Sequence, residues 1–222
     1  MHKLPREQRL YPAAVKQLKP TWADMCAKDK DLLELVPEEE LYDFLVECRS
    51  LLRGYFEMEN PQGFDAYATE MYVDTVLPNG VPVRGFIDRV DVAPTGQVRV
   101  VDYKTGKAPG PRYVDEALYQ MRFYALLLAR TRRLPARMQL VYLRAGQVIT
   151  FDPVADDIRA FERHIDQLWA RIESDIENDS FAARKNPLCN WCGVRSLCPV
   201  FGGTTPPMPK EHARWLARTR LG

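Results

Sequence analysis

The chain has 222 residues, of which 46% are hydrophobic and 27% charged, so it can bury a core without disulfide staples. Its 31 basic and 30 acidic residues nearly cancel, leaving a formal net charge of +1 and no global electrostatic argument for a nucleic-acid partner. There is no run of about 18 apolar residues, and "MHKLPREQRLYP" lacks the apolar centre of a signal peptide, so a cytoplasmic location is expected.

From Pro12 to about Tyr55 apolar residues recur at helical spacing, with breaks expected at Pro20 and Pro37, which predicts two or three helices. Between Asn60 and Tyr103 the period changes to two. "AYATEMYVDTVL", "VPVRGFIDRVDV" and "QVRVVDYK" read as a three-strand meander punctuated by "PNG" and "PTG". A helix over about Asp115 to Arg133 follows the loop "TGKAPGPR". Two more strands flank Ala145 and Gly146, and a long helix over "VADDIRAFERHIDQLWARIESDIEND" leads into a cysteine-bearing segment and a basic tail. This order predicts an α/β class, a mixed sheet with helices on its faces. It divides into an N-terminal helical segment (1–59), a core (60–180) and a C-terminal cysteine segment with its tail (181–222), together one structural domain.

The meander carries acids where strands prefer apolar residues. If the "PTG" loop is centred on Thr95, Asp88 lies opposite Asp102, with Phe86, Val90, Val100 and Lys104 on the same face, while Asp91 lies opposite Arg99 on the other. Asp91 and Arg99 then form an ordinary ion pair. Asp88 and Asp102 are like charges across a strand pair, which is unfavourable by roughly 0.2–1 kcal/mol when exposed and by more when buried. A hard divalent cation such as Mg²⁺, held by carboxylate and carbonyl oxygens, compensates such a pair. Lys104 beside it could hold a water or neutralise a developing phosphate charge. Pairing Leu77 with Val81 sets Glu70 opposite Asp88 as a third carboxylate, and a slip of one residue turns it away. The competing reading is a local ion-pair network in which Lys104 neutralises Asp102.

"GFIDRVD", "VVDYKTGK" and Gln120 and Tyr124 of "QMRFYALLL" together resemble the RecB-type branch of the PD-(D/E)XK nuclease superfamily. The resemblance implies a restriction-endonuclease-like sheet flanked by helices and phosphodiester hydrolysis in DNA with Mg²⁺ or Mn²⁺. It implies that Asp88, Asp102 and the Tyr103 backbone carbonyl bind the metal, that Lys104 serves the attacking water, and that Gln120 and Tyr124 flank the strand or support the lysine. An exonuclease of DNA repair or recombination is the activity it suggests, with DNA single strands or ends as partner and a helicase or recombination complex as a further one. A non-catalytic DNA-binding or scaffold module is the alternative.

Cys189, Cys192 and Cys198 stand in a C-x2-C-x5-C spacing that suits one soft centre, zinc or an iron–sulfur cluster, the bland reading being three free thiols. The resemblance favours a 4Fe–4S cluster that clamps the C-terminal segment to the N-terminal helices. Relatives take a fourth cysteine and a metal-site histidine from a segment upstream of their equivalent of "LPREQR". This chain is expected to begin after both, so that either the cluster is incomplete and the histidine missing, weakening the activity, or the fourth ligand is improvised. His2 is not expected to replace that histidine. Cys26 and Cys48 are expected as core thiols and His164 as a surface residue. The basic runs 129–137 and 213–222 could track a phosphate backbone, with Arg130, Arg132 and Arg133 as candidate DNA contacts.

Overall fold

The computed structural model describes residues 4–207, with 209 and 211, so His2 and the basic run 213–222 lie outside the described residues. Helices α1 (Tyr11–Lys28), α2 (Leu32–Leu35) and α3 (Leu41–Met58) come first. Strands β1 (Ala68–Val76), β2 (Pro82–Val92) and β3 (Val98–Lys104) follow, then α4 (Val114–Thr131), β4 (Arg137–Tyr142), β5 (Gln147–Phe151) and α5 (Ala155–Asn178). The five strands form one sheet in chain order. β2 with β3 and β4 with β5 are antiparallel, whereas β3 and β4 are parallel, joined by the crossover helix α4. The α/β mixed sheet expected from the order of periodicities is the observed architecture.

The expected break at Pro20 is absent: α1 runs straight through it. Proline removes the hydrogen bond to the carbonyl four residues back, which belongs to Lys16. Both residues are exposed, so water can take that carbonyl. Pro37 does end a helical stretch, and Glu38 to Glu40 then form a short 3-10 turn leading into α3.

Two compact units are distinguishable. The first comprises residues 1–73 and 84–158. In it α4 buries Met121, Tyr124, Ala125 and Leu128, spaced at three and four, together with Leu126 and Leu127. Gly54 of α3 makes a close approach to a strand end: a Cβ there would lie 2.3 Å from the Leu143 carbonyl oxygen, so the position admits only glycine. Near the N-terminus Arg9, 5% exposed, donates to the carbonyls of Leu4, Pro61 and Phe64 and pairs with Asp65 at 2.8 Å. The second unit comprises residues 74–83 and those from 159 onward. Asn79 at its hairpin tip donates to Asp166 at 2.6 Å, and Arg195 stacks 4.3 Å from the centre of the Phe201 ring.

The β2–β3 turn has the expected register, pairing Arg89 with Val101 and Asp91 with Arg99. Gly96, at φ +80°, closes it by donating to the Ala93 carbonyl at 2.8 Å. Farther from the turn β2 becomes irregular. Gly85 faces α4, since a Cβ on it would come 3.0 Å from Tyr124 Cε1, and Val90 also faces α4, sharing a cleft with Leu128. An odd and an even residue cannot face the same way on a regular strand, so one step of the alternation is lost between them. Asp88 sits in that irregular stretch. Phe86 is exposed and packs on Tyr72 with ring centres 5.2 Å apart.

Candidate active site at the carboxyl end of β3

Asp102 and Lys104 close β3 at its carboxyl end beside the parallel strand β4, the place where open α/β sheets gather their ligand groups. Asp102 is 2% exposed. Its Oδ2 lies 2.6 Å from Lys104 Nζ, an ion pair at an angle that is poor for a hydrogen bond, and no other hydrogen bond reaches that buried oxygen. Burial pushes the Asp102 carboxyl above the usual carboxylate range; Lys104 opposes the shift, and the nearby Asp88 charge adds to it. Asp88 Oδ2 accepts the backbone N–H of Tyr103 at 2.8 Å, which ties the irregular stretch of β2 to the residue between Asp102 and Lys104.

Lys104 is therefore the neutralising partner that Asp102 lacked in the first sequence reading. It is also held from the other side. Its Nζ donates to Gln120 Oε1 at 2.5 Å, and Gln120 Nε2 donates to the Tyr124 hydroxyl at 2.8 Å. The two α4 residues are four apart, one above the other on the helix face toward β3. Burial raises the Tyr124 phenol, with Gln120 opposing, so the phenol stays protonated across the neutral range. A cleft of about 430 Å³ opens beside Asp88 and Tyr103, walled by Leu52, Tyr55, Thr69 and Leu143. A larger one, about 650 Å³, lies at the opposite ends of the strands, where Asp91 and Asp152 are already paired with Arg99 and Arg137. It holds none of the candidate residues.

Behind the site, Arg89 is 1% exposed. It donates to the Tyr103 hydroxyl, pairs with Glu59 at 3.1 Å and Asp91 at 3.2 Å, and lies 4.6 Å from the centre of the Phe64 ring. The sequence reading passed over Arg89. Its signal was a basic residue on a strand flanked by Ile87 and Val90, both buried.

The third carboxylate does not arrive. Leu77 donates to the Val81 carbonyl at 2.9 Å, as the expected register requires, but Glu70 has φ +50° and is exposed, and Thr69 before it is exposed as well. This left-handed residue breaks the alternation of β1, so counting from the turn no longer sets the direction of Glu70. Among the described residues no three His, Cys, Asp or Glu side chains gather as a metal group.

The cysteine triplet is likewise not gathered as a metal group among the described residues. Cys189 and Cys198 are half-buried and Cys192 is exposed, each a free thiol on consecutive 3-10 turns. The Cys189 thiol is engaged locally, accepting the Asn186 N–H at 3.4 Å as part of a cap. The three sulfurs as arranged do not fit a cluster. Cys26 is buried and His164 exposed, as expected, whereas Cys48, expected in the core, is only half-buried. Arg130, Arg132 and Arg133 are exposed at the end of α4.

A hard divalent cation is different, because two carboxylates and a neighbouring carbonyl suit it, and the Asp102 oxygen, ion-paired with Lys104 but short of well-formed hydrogen bonds, fits that demand. Among the described residues no helix is long and apolar enough to cross a membrane.

The chain is 37% identical to the Gene 69 protein of Mycobacterium phage L5 over 127 residues, covering 55% of this chain and 41% of that protein. It is 34% identical to the Gene 69 protein of Mycobacterium phage D29 over 138 residues, 60% of this chain and 48% of the relative. The matched region thus spans less than half the length of either phage protein. A solved structure titled "Crystal structure of SSO0001" aligns over 82% of this chain and 81% of its own at 18% identity, with a TM-score of 0.42. The model of the PD-(D/E)XK nuclease superfamily matches residues 2–199, nearly the whole chain, and the chain belongs to that superfamily.

Proposed function

We propose that this chain is a metal-dependent deoxyribonuclease, an exonuclease acting on DNA in repair or recombination. The observation that carries the reading is Lys104, suspended between a buried, incompletely satisfied Asp102 and the Gln120–Tyr124 pair. An ion pair made for stability needs no second acceptor that aims its lysine.

In this reading Asp88, Asp102 and the Tyr103 carbonyl hold Mg²⁺ or Mn²⁺. A cation held there supplies positive charge to the phosphate oxygens and lowers the pKa of a water. The Lys104 ammonium orients that water or meets the negative charge that develops on the phosphate as the P–O bond breaks. Gln120 gives Nζ a second, directed acceptor beside its ion pair with Asp102, and the protonated Tyr124 hydroxyl holds the amide end of Gln120 that faces away from the lysine. The half-buried apolar wall of Leu52, Tyr55 and Leu143 beside Asp88 limits bulk water on that side. Nothing in these steps depends on the cysteine triplet, whose metal content is read separately by visible absorbance with iron and zinc analysis.

The test uses labelled single- and double-stranded DNA with Mg²⁺ or Mn²⁺, beside Asp102→Ala and Lys104→Ala. Cleavage by the unaltered protein, lost in both variants, is the expected result. Cleavage that survives in both, or that is absent on every substrate with either metal, overturns the proposal and leaves a DNA-binding module as the reading.

A further inference from the structure

Two arginines just past α4 differ from others on the same sheet. Arg99 and Arg137 each have a carboxylate, Asp91 at 2.8 Å and Asp152 at 2.7 Å. Arg132 and Arg133 have only neutral partners among the described residues. Arg132 Nη1 donates to the Tyr67 hydroxyl at 3.1 Å with its guanidinium carbon 6.0 Å from that ring centre, and Arg133 Nη1 donates to the Gly96 carbonyl. Between these side chains lies a cleft of about 360 Å³ whose floor includes Met71, Val90 and Leu128 and whose rim includes Tyr67, Arg132 and Arg133. The Tyr67 side chain is 59% exposed. The negative end of the α4 dipole accounts for basic residues at a helix terminus. It does not account for an exposed phenol ring set beside an apolar hollow.

Three demands meet here. The floor suits a flat apolar group, the Tyr67 ring suits a stacking partner, and the two uncompensated guanidinium groups suit anions. An unpaired nucleobase with a phosphate on each side meets all three, whereas a duplex keeps its base faces stacked inside. The cleft also lies on the helix that carries Gln120 and Tyr124. At the helical rise Arg132 is ~12 Å beyond Tyr124, within a few nucleotides along a strand.

We propose that this cleft is a strand-holding subsite, seating one unpaired base of a single DNA strand against Tyr67 and taking its flanking phosphates on Arg132 and Arg133. It rests on the nuclease reading above and extends it by naming the form of DNA selected.

The test is binding, kept apart from cleavage. Fluorescence anisotropy with a labelled oligothymidylate and with a duplex of equal length, both in EDTA, is measured for the unaltered protein, Tyr67→Ala, Tyr67→Phe and the double variant Arg132→Ala/Arg133→Ala. The single strand is expected to bind at least roughly tenfold tighter than the duplex, and Tyr67→Ala to weaken it roughly tenfold, with most affinity kept in Tyr67→Phe. The double variant should flatten the slope of log affinity against log salt by ~1.4, about 0.7 for each phosphate contact, while Tyr67→Ala leaves the slope unchanged. Equal binding of both DNA forms, or unaltered affinity and slope in all folded variants, overturns the subsite. Hydrolysis by the unaltered protein in Mg²⁺ is scored independently. Hydrolysis without this binding pattern defeats the subsite alone, and the binding pattern without hydrolysis defeats the nuclease reading alone. Should Tyr67→Ala fail to fold, Tyr67→Phe and the salt slope of the double variant still decide.

Discussion

Asp88 accepts the Tyr103 backbone N–H through Oδ2 at 2.8 Å, so a candidate metal ligand on β2 also holds in place the β3 residue whose carbonyl is another. The two roles separate by substitution. Asparagine keeps an acceptor for the N–H but loses the charge, whereas alanine loses both. Asp88→Asn should therefore fold with stability within about 1 kcal/mol of the unaltered protein, and Asp88→Ala should be less stable by about 1–2 kcal/mol. Both should lose DNA cleavage. Urea denaturation beside a cleavage assay checks this, and full activity in Asp88→Asn contradicts the metal role.

The Lys104, Gln120 and Tyr124 chain predicts a graded loss. Removing the Tyr124 hydroxyl leaves Gln120 free to turn its amide, so some lysines lose their acceptor while Asp102 and Asp88 are untouched. Tyr124→Phe is expected to lower kcat several-fold, with KM nearly unchanged and stability changed by about 1 kcal/mol or less. Gln120→Ala should lower kcat further, because Nζ then keeps only its ion pair with Asp102 and loses the acceptor that fixes its direction. Equal kcat in all three proteins removes Gln120 and Tyr124 from the mechanism.

Much of this was legible from residue order. The switch from helical spacing to alternation located the helices and strands, and the "PTG" turn set the pairing of Asp91 with Arg99. Turn counting failed where the backbone departs from a regular strand, at Glu70 with φ +50° and in β2 between Gly85 and Val90. Neither irregularity follows from local composition, because each depends on what the strand packs against. Arg89 escaped for a related reason. Its partners Glu59, Phe64 and Tyr103 are distant in sequence and meet only in the fold.

That network carries a stability prediction. Arg89 is buried, and its removal leaves Glu59 and Asp91 without their shared cation, although Arg99 still reaches Asp91 at 2.8 Å. Arg89→Met should cost about 3–5 kcal/mol, the scale for removing one member of a buried ion pair. Glu59→Gln, which keeps an acceptor for the guanidinium, should cost much less. Urea denaturation of both variants tests the ordering, and equal costs would show that Arg89 needs the charge of Glu59 and not merely an acceptor.

The raised carboxyl of Asp102 gives a pH dependence with a definite sign. Below the ordinary carboxylate range Asp102 is protonated in both folded and unfolded chains and has no effect on stability. As pH rises through the interval between the ordinary and the raised value, the unfolded chain ionises first, so stability falls, and the full penalty remains at neutral pH. A divalent cation binds only the ionised form. Its stabilising effect should be full at neutral pH, about 2.7 kcal/mol at a hundred times Kd, and should fade as pH drops through the same interval. Asp102→Asn removes the buried charge and leaves Lys104 an acceptor, so its metal-free Tm should equal or exceed that of the unaltered protein and should not respond to Mg²⁺. Thermal melts across pH with and without Mg²⁺ read both effects. A Mg²⁺-induced rise in Tm that is undiminished at low pH, or that persists in Asp102→Asn, would place the cation elsewhere than on this carboxylate.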